Sequence, residues 1–250
     1  MKAAPDFLFL RITRGGRASA WVTRFVIVVC VVACCGVVNA EARKVEWTPK
    51  LQLKNLSSIG SRLREPFESA ISVTKDGRHA RVSNCVEYLK LSALHFAPSS
   101  DRDVALLKFR GIDCQALQAL QKAKPARTSF LDNFHLDAQA VDYLPPDFAP
   151  AVSAEDSQKA RDAGARGLSW RQFQPGLAVK PDVGSLKAET DGTTTKLEIY
   201  ARGDLNGDGM EDLLIRVDVS FTAGSYTDSR LFLLTRESTQ GRLKILREYK

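Results

Sequence analysis

Histidine, cysteine and internal repetition are all scarce in this 250-residue chain, and each scarcity removes a class of function. The three histidines, His79, His95 and His135, lie far apart in sequence, which argues against a histidine-rich metal centre. His79 falls beside a turn, and His95 follows an apolar run next to Phe96, where packing or capping accounts for it. His135, in Asp132-Asn-Phe-His-Leu-Asp137, has two carboxylates near enough to orient an imidazole, yet a solvated loop explains the same residues better. The chain has no Gly-x-Ser-x-Gly elbow, no glycine-rich phosphate loop and no zinc-binding helix motif. No segment recurs, so solenoids and other arrays are excluded.

Charge of one sign is also lacking once the first forty residues are set aside. The net charge is +7, but Lys2, Arg11, Arg14, Arg17 and Arg24 against the single acid Asp6 supply four of those charges and leave about +3 for the remainder. Acids and bases are interspersed from Lys44 to Lys250, which gives no electrostatic footprint for nucleic acid.

The same forty residues contain an apolar run, Phe25 to Val38, preceded by those arginines. A membrane span needs about 20 apolar residues, so the run is short for an anchor and matches a secretory signal. Residues 1–40 are therefore expected to be a signal peptide, with Val38-Asn39-Ala40 offering the cleavage site. Val31-Val32-Ala33-Cys34 is a loose lipobox, so membrane attachment would require lipidation of Cys34 or a retained leader. The expected location is periplasmic or extracellular.

Cys30, Cys34 and Cys35 belong to that leader, which leaves Cys85 and Cys114 as an even pair in an oxidising compartment. They are predicted to be bridged. Neither has another cysteine or a histidine at metal-ligand spacing.

Along the rest of the chain the period of the apolar pattern changes. Residues 41–148 are expected to form a mainly helical domain containing one hairpin, Ile71 to Val82, around Lys75-Asp76-Gly77. Ser83 and Asn84 can cap a helix carrying Val86, Leu89, Leu91 and Leu94, which Pro98 ends. A short helical segment, Asp103 to Phe109, follows. A third helix is read from Asp113 to the stop at Pro125, which places Cys85 and Cys114 each at a helix start. Residues 149–168 lose periodicity and are expected to be a linker. Residues 169–250 alternate: Leu197, Ile199 and Ala201 on one face, then Leu213, Ile215, Val217, Val219 and Phe221, opposed by Arg216, Asp218 and Ser220. Further strands are expected over Arg230 to Thr235 and Arg242 to Tyr249. The fold class is α+β: a small helical N-terminal region with a short hairpin, then an antiparallel β-meander. Its apolar face must be covered by the helical region or by the segment around Trp170.

Between two of those strands lies Asp204-Leu-Asn-Gly-Asp-Gly-Met-Glu-Asp212. A hard divalent cation takes six to eight oxygens at about 2.3–2.6 Å. Asp204, Asn206 and Asp208 alternate as such donors, and Gly207 and Gly209 let the backbone turn so that the Met210 carbonyl and the Asp212 carboxylate reach the same point. Calcium is the expected cofactor, bound weakly and for structural effect. Glu211 is out of phase and is expected to face water. The twelfth position is Ile215 where an EF-hand needs a bidentate glutamate, and the flanks are strands. Arg202-Gly203-Asp204 spells an adhesion tripeptide, which a metal-bound Asp204 could not offer to a receptor.

The stretch Gly203 to Ile215 resembles the calcium loops of FG-GAP and VCBS-type repeats in integrin-alpha-like β-propellers. That resemblance covers about Thr195 to Phe221 and implies a metal held by Asp204, Asn206, Asp208, Asp212 and the Met210 carbonyl. A propeller closes with several blades, and this chain carries one such loop, so a complete propeller is not expected. The functional expectation is an exported, calcium-stabilised, non-enzymatic protein that binds a protein or an envelope component. An exported hydrolase with unrecognised catalytic residues, or an inhibitor or accessory subunit, are the alternatives.

Overall fold

The computed structural model describes residues 42–190, 192–222 and 227–249; the expected signal peptide, its cleavage site and Cys34 lie outside them. The described residues cluster as one compact unit.

Six strands run as an antiparallel meander: β5 (Ala178–Asp182), β6 (Ser185–Thr190), β7 (Thr193–Gly203), β8 (Asp212–Phe221), β9 (Thr227–Thr235) and β10 (Lys244–Tyr249). Each pairs with its neighbour in sequence, and the sheet does not close into a barrel. A two-residue strand, β1 (Glu46–Trp47), pairs with β7 at Arg202 and Ala201, beyond the stretch of β7 that β6 occupies. The β5–β6 hairpin escaped the sequence pattern because charges dominate it, as in Lys180-Pro-Asp182 and Lys187-Ala-Glu189.

Both faces of the sheet are covered. On one face Leu213, Ile215, Val217 and Val219 of β8 join Phe232 and Leu234 of β9 beneath Phe148, Leu144 and Trp170. The Phe148 ring stacks on Phe232 at 4.8 Å between centroids. The other face carries Leu214, Leu231, Leu233 and Tyr200 against the helices. Ala201, expected on the face of Leu197 and Ile199, lies here instead, because a register shift between Ile199 and Ala201 breaks the period-two alternation.

That second layer contains α1 (Ile59–Arg64), α2 (Cys85–Ala93) and α3 (Asp101–Leu120), with a small sheet of β2 (Ile71–Lys75), β3 (Arg78–Val82) and β4 (Ala97–Pro98). The β2–β3 hairpin turns at Asp76-Gly77 as expected. Asn84 caps α2 by accepting the Glu87 N–H at 2.9 Å. The buried side of α2 is Cys85 and Tyr88, while Val86 and Leu94 are exposed.

The two expected helices after Pro98 are one helix. Gly111, which broke the pattern, continues α3 because Tyr88 packs across it: a Cβ there would lie 2.5 Å from the Tyr88 hydroxyl. Cys114 consequently sits inside α3, not at its start. The disulfide from Cys85 to Cys114 forms, and it joins the first turn of α2 to the body of α3.

Residues 149–168, expected as a linker, hold α4 (Ala154–Ala165), capped by Ser153, whose hydroxyl accepts the Asp156 N–H at 3.0 Å. Its exposed face is polar, and only Ala160 and Ala163 are buried in it, so its apolar stripe is too thin to read from sequence. A short helix, α5 (Trp170–Phe173), follows and brings the Trp170 ring onto the sheet. Among the described residues no helix is long and apolar enough to cross a membrane.

Candidate functional site: the loop between β7 and β8

Asp204 to Asp212 connects the two longest strands of the meander and is held in shape by its own side chains. Asp204 accepts the N–H of Gly207 at 2.6 Å through one carboxylate oxygen and that of Gly209 at 3.0 Å through the other. Asn206 Oδ1 accepts the Asp208 N–H at 2.8 Å, and Asp208 Oδ1 accepts the Met210 N–H at 2.7 Å. Asn206 Nδ2 donates to the second Asp208 oxygen at 2.9 Å. These bonds require a tight coil, and Gly207 and Gly209 provide it at φ of +92° and +88°, values that oppose a side chain.

Asp212 closes the neck. One of its oxygens accepts the Leu205 N–H at 3.0 Å; the other, Oδ1, is buried without a well-formed hydrogen bond. A buried carboxylate oxygen left unpaired is costly, and the effect shows in its protonation. Burial, aided by the charges of Asp208 and Asp204, pushes the Asp212 carboxyl up to about 6. The buried Thr235 hydroxyl, opposite Asp212 across the β8–β9 register, and the Leu205 N–H act against that rise.

The loop also docks. Lys124 and Asp204 exchange backbone hydrogen bonds at 2.9 and 3.0 Å, Arg127 donates to the Gly209 carbonyl at 2.8 Å, and Glu211 donates to the Thr128 carbonyl at 2.8 Å. Ala126 and Arg43 exchange a further pair on the opposite edge of the same segment, at 2.8 and 2.9 Å. Glu211 is out of phase with the other acids, as its position implies, but it does not face water. It is 4% exposed, bonded to the Ser129 hydroxyl and 3.9 Å from Arg43. Segment 124–131 covers the side of the loop that the sequence leaves open to solvent.

The site residues therefore separate by role. Asp204, Asp208 and Asp212 supply three carboxylates, Asn206 an amide oxygen, and Met210 a backbone carbonyl. In kind this donor set fits a hard cation. In arrangement the side chains are turned to backbone N–H groups, and among the described residues no three His, Cys, Asp or Glu side chains converge as a ready-made metal-binding group. The Arg202-Gly203-Asp204 tripeptide is internal: Arg202 donates to the Leu131 and Phe134 carbonyls at 3.3 and 2.6 Å, and Asp204 is 3% exposed.

The histidines do not assemble a catalytic centre among the described residues. His79, His95 and His135 are each exposed on separate segments. The carboxylates flanking His135 are engaged elsewhere: Asp132 pairs with Arg43, and Asp137 accepts the N–H groups of Gln139 and Ala140.

One polar cluster was not apparent from sequence. Arg216, 8% exposed, donates to the Tyr200 hydroxyl at 2.7 Å and to Asp218 at 2.8 Å, and Tyr200 donates to Asp113 of α3 at 3.2 Å. The Arg216 guanidinium also lies over Phe109 at 5.2 Å. Burial raises the Asp113 carboxyl, with Arg216 and the Tyr200 hydroxyl working against it, and burial raises the Tyr200 phenol as well. The only sequence signal was an arginine in the middle of an apolar strand.

Comparison with known protein families, with curated proteins and with solved structures finds no match to this chain.

Proposed function

We propose that the β7–β8 loop is a calcium clamp and that the protein is an exported, non-enzymatic binding protein of the periplasm or extracellular space. The observation that carries the clamp is the Asp212 carboxylate: fully buried at the neck of an Asp/Asn/Gly loop, with one oxygen lacking a well-formed hydrogen bond and two further carboxylates close enough to raise its pKa. A cation at that point would give Asp212 Oδ1 a partner and offset the mutual repulsion of Asp204, Asp208 and Asp212. Asn206 and the Met210 carbonyl complete the set that would hold it. Because the loop is bonded to segment 124–131, which is bonded in turn to Arg43, ordering the loop would tie the sheet to the start of the folded unit.

Export is supported by the arginine-flanked apolar run at Phe25 to Val38 and by the bridge between Cys85 and Cys114, a bond suited to an oxidising compartment. The partner proposed for the binding reading is a protein or another envelope component. The interspersed charges of the chain support no nucleic-acid role.

Isothermal titration of the purified, chelator-treated chain with calcium and with magnesium tests the clamp. The expected result is one calcium per chain with Kd of about 10⁻⁴ to 10⁻³ M and a rise in Tm. Asp208→Ala and Asp212→Asn are expected to abolish the heat. Equal heat from the wild type and both variants would remove the proposal.

A further inference from the structure

A second feature lies away from the loop. A cavity of about 530 Å³ opens between the helical layer, α4 and strands β8 to β10. That volume falls within the range of small-molecule sites, roughly 300–1,000 Å³. Leu91 and Phe96 wall it on the α2 side, Leu107 on α3, and Val219 and Phe221 on the sheet.

The fold keeps this space open by construction. Ala149, Ala151 and Ala160 form the side nearest α4, and larger side chains there would fill the hollow. Gly111 lets Tyr88 lie flat across α3, so the phenol is placed in the lining instead of outside it.

Its chemistry narrows the occupant. Tyr88 and Gln115, each 7% exposed, present a hydrogen-bonded phenol and amide within the lining, with Gln115 Nε2 donating to the Tyr88 hydroxyl at 3.3 Å. Burial raises the Tyr88 phenol, which keeps it protonated and able to donate. The charged groups of the lining offset one another. Lys108 pairs with Asp228 at 3.1 Å, and Arg230 lies 3.9 Å from the same carboxylate while donating to the carbonyls of Asp147 and Ala149 at 2.9 and 3.2 Å. Arg161 adds one cation, and Asp147 and Glu248 add acids. No net field selects an anionic or a cationic head group.

From this geometry we infer that the cavity is a binding site for a neutral, largely apolar small molecule with one hydrogen-bonding group, held by apolar walls and by the Tyr88–Gln115 pair. The inference goes beyond the binding reading, whose partner is a protein or envelope component, by adding a small-molecule ligand, and it does not rest on the cation in the β7–β8 loop.

The test is fluorescence titration of the full chain with N-phenyl-1-naphthylamine, a neutral diaryl amine, in chelator and again in calcium. Saturable one-to-one uptake is expected in both, weakened at least tenfold by Ala160→Trp, which fills the hollow from α4. Ser157→Phe, at a half-buried lining position, is expected to weaken it about fivefold and keeps the test decisive if the tryptophan variant does not fold. Anilinonaphthalene sulfonate, with similar rings and an anionic group, should bind at least tenfold more weakly. Absence of saturable uptake, equal uptake by wild type and folded variants, or tighter binding of the sulfonate would overturn the inference. Uptake that is unchanged by calcium, beside a flat calcium titration, would remove the clamp and leave the cavity site standing.

Discussion

On the face of the sheet that meets Trp170 and Phe148, β8 and β9 present Leu213, Ile215, Val217, Phe232 and Leu234, all at 1% exposure or less. On the opposite face the same two strands present Leu214, Arg216 and Asp218, then Leu231 and Leu233, and the layer above contains a buried ion network and a disulfide. The first face is held mainly by close packing, with Arg230 of β9 donating to the Asp147 and Ala149 carbonyls above it. The second adds a network of specific bonds to a comparable apolar core, since each buried charge there must find a partner. The functional candidates cut across this division. The cavity is lined from both layers, by Tyr88 and Leu91 on one side and by Ala149 and Phe232 on the other, and the β7–β8 loop extends from the end of the sheet to join segment 124–131.

Substitutions can break or sharpen this contrast. The largest effect is expected on the packed face: Trp170→Ala should cost about 4 kcal/mol by urea denaturation, because the fully buried ring leaves a cavity that its neighbours cannot collapse to fill. Loss of well under half that amount would show that the face is less close-packed than its burial implies. On the other face, replacing both Cys85 and Cys114 by alanine should cost roughly 3.6 kcal/mol from the chain entropy of a loop of that length. The bridged residues are 29 apart in sequence, and denaturation with and without reductant measures the same quantity in the wild type.

The loop should show its strain in pH dependence. Asp212 titrates at about 6 in the folded chain against an ordinary value of 3.8, so the native state holds this proton to higher pH than the unfolded state does. Its contribution is therefore most favourable below about pH 4 and is lost as pH rises toward 6, by about 3 kcal/mol in total. In chelator, Asp212→Asn should flatten that part of the stability profile and be more stable than the wild type at pH 7. Parallel profiles for the two proteins would show that Asp212 titrates normally.

Within the ion network, Tyr200→Phe removes a hydroxyl bonded to both Asp113 and Arg216 and should cost about 2 kcal/mol, with chemical denaturation as the measure. The smallest effect is expected at the β5–β6 turn, where Val183 is fully exposed: Val183→Ser should shift stability by less than about 0.5 kcal/mol. A larger loss there would indicate that something covers this tip.

Particular residues show how much could be read in advance. Period two over Leu213 to Phe221 placed those side chains on one face correctly, because a strand's alternation is fixed by its own backbone. Asp76-Gly77 placed a hairpin turn for a similarly local reason, and two cysteines beyond residue 40 allowed one pairing. The loop's acidic, amide and glycine residues were legible by type and spacing. Their present hydrogen bonds and the burial of Glu211 were not, since both depend on segment 124–131, some eighty residues earlier in the chain.

What the amino-acid sequence determined by itself is the set of local conformations: which stretches alternate, where the chain turns, and which helix ends are capped. Each follows from interactions among residues a few positions apart. The tertiary structure alone decided that α3 runs through Gly111, that a bulge sends Ala201 to the other face, that residues 149–168 contain a helix, and that both faces of the sheet are covered. Those outcomes depend on what packs against each residue, and a contact partner distant in sequence leaves no local mark.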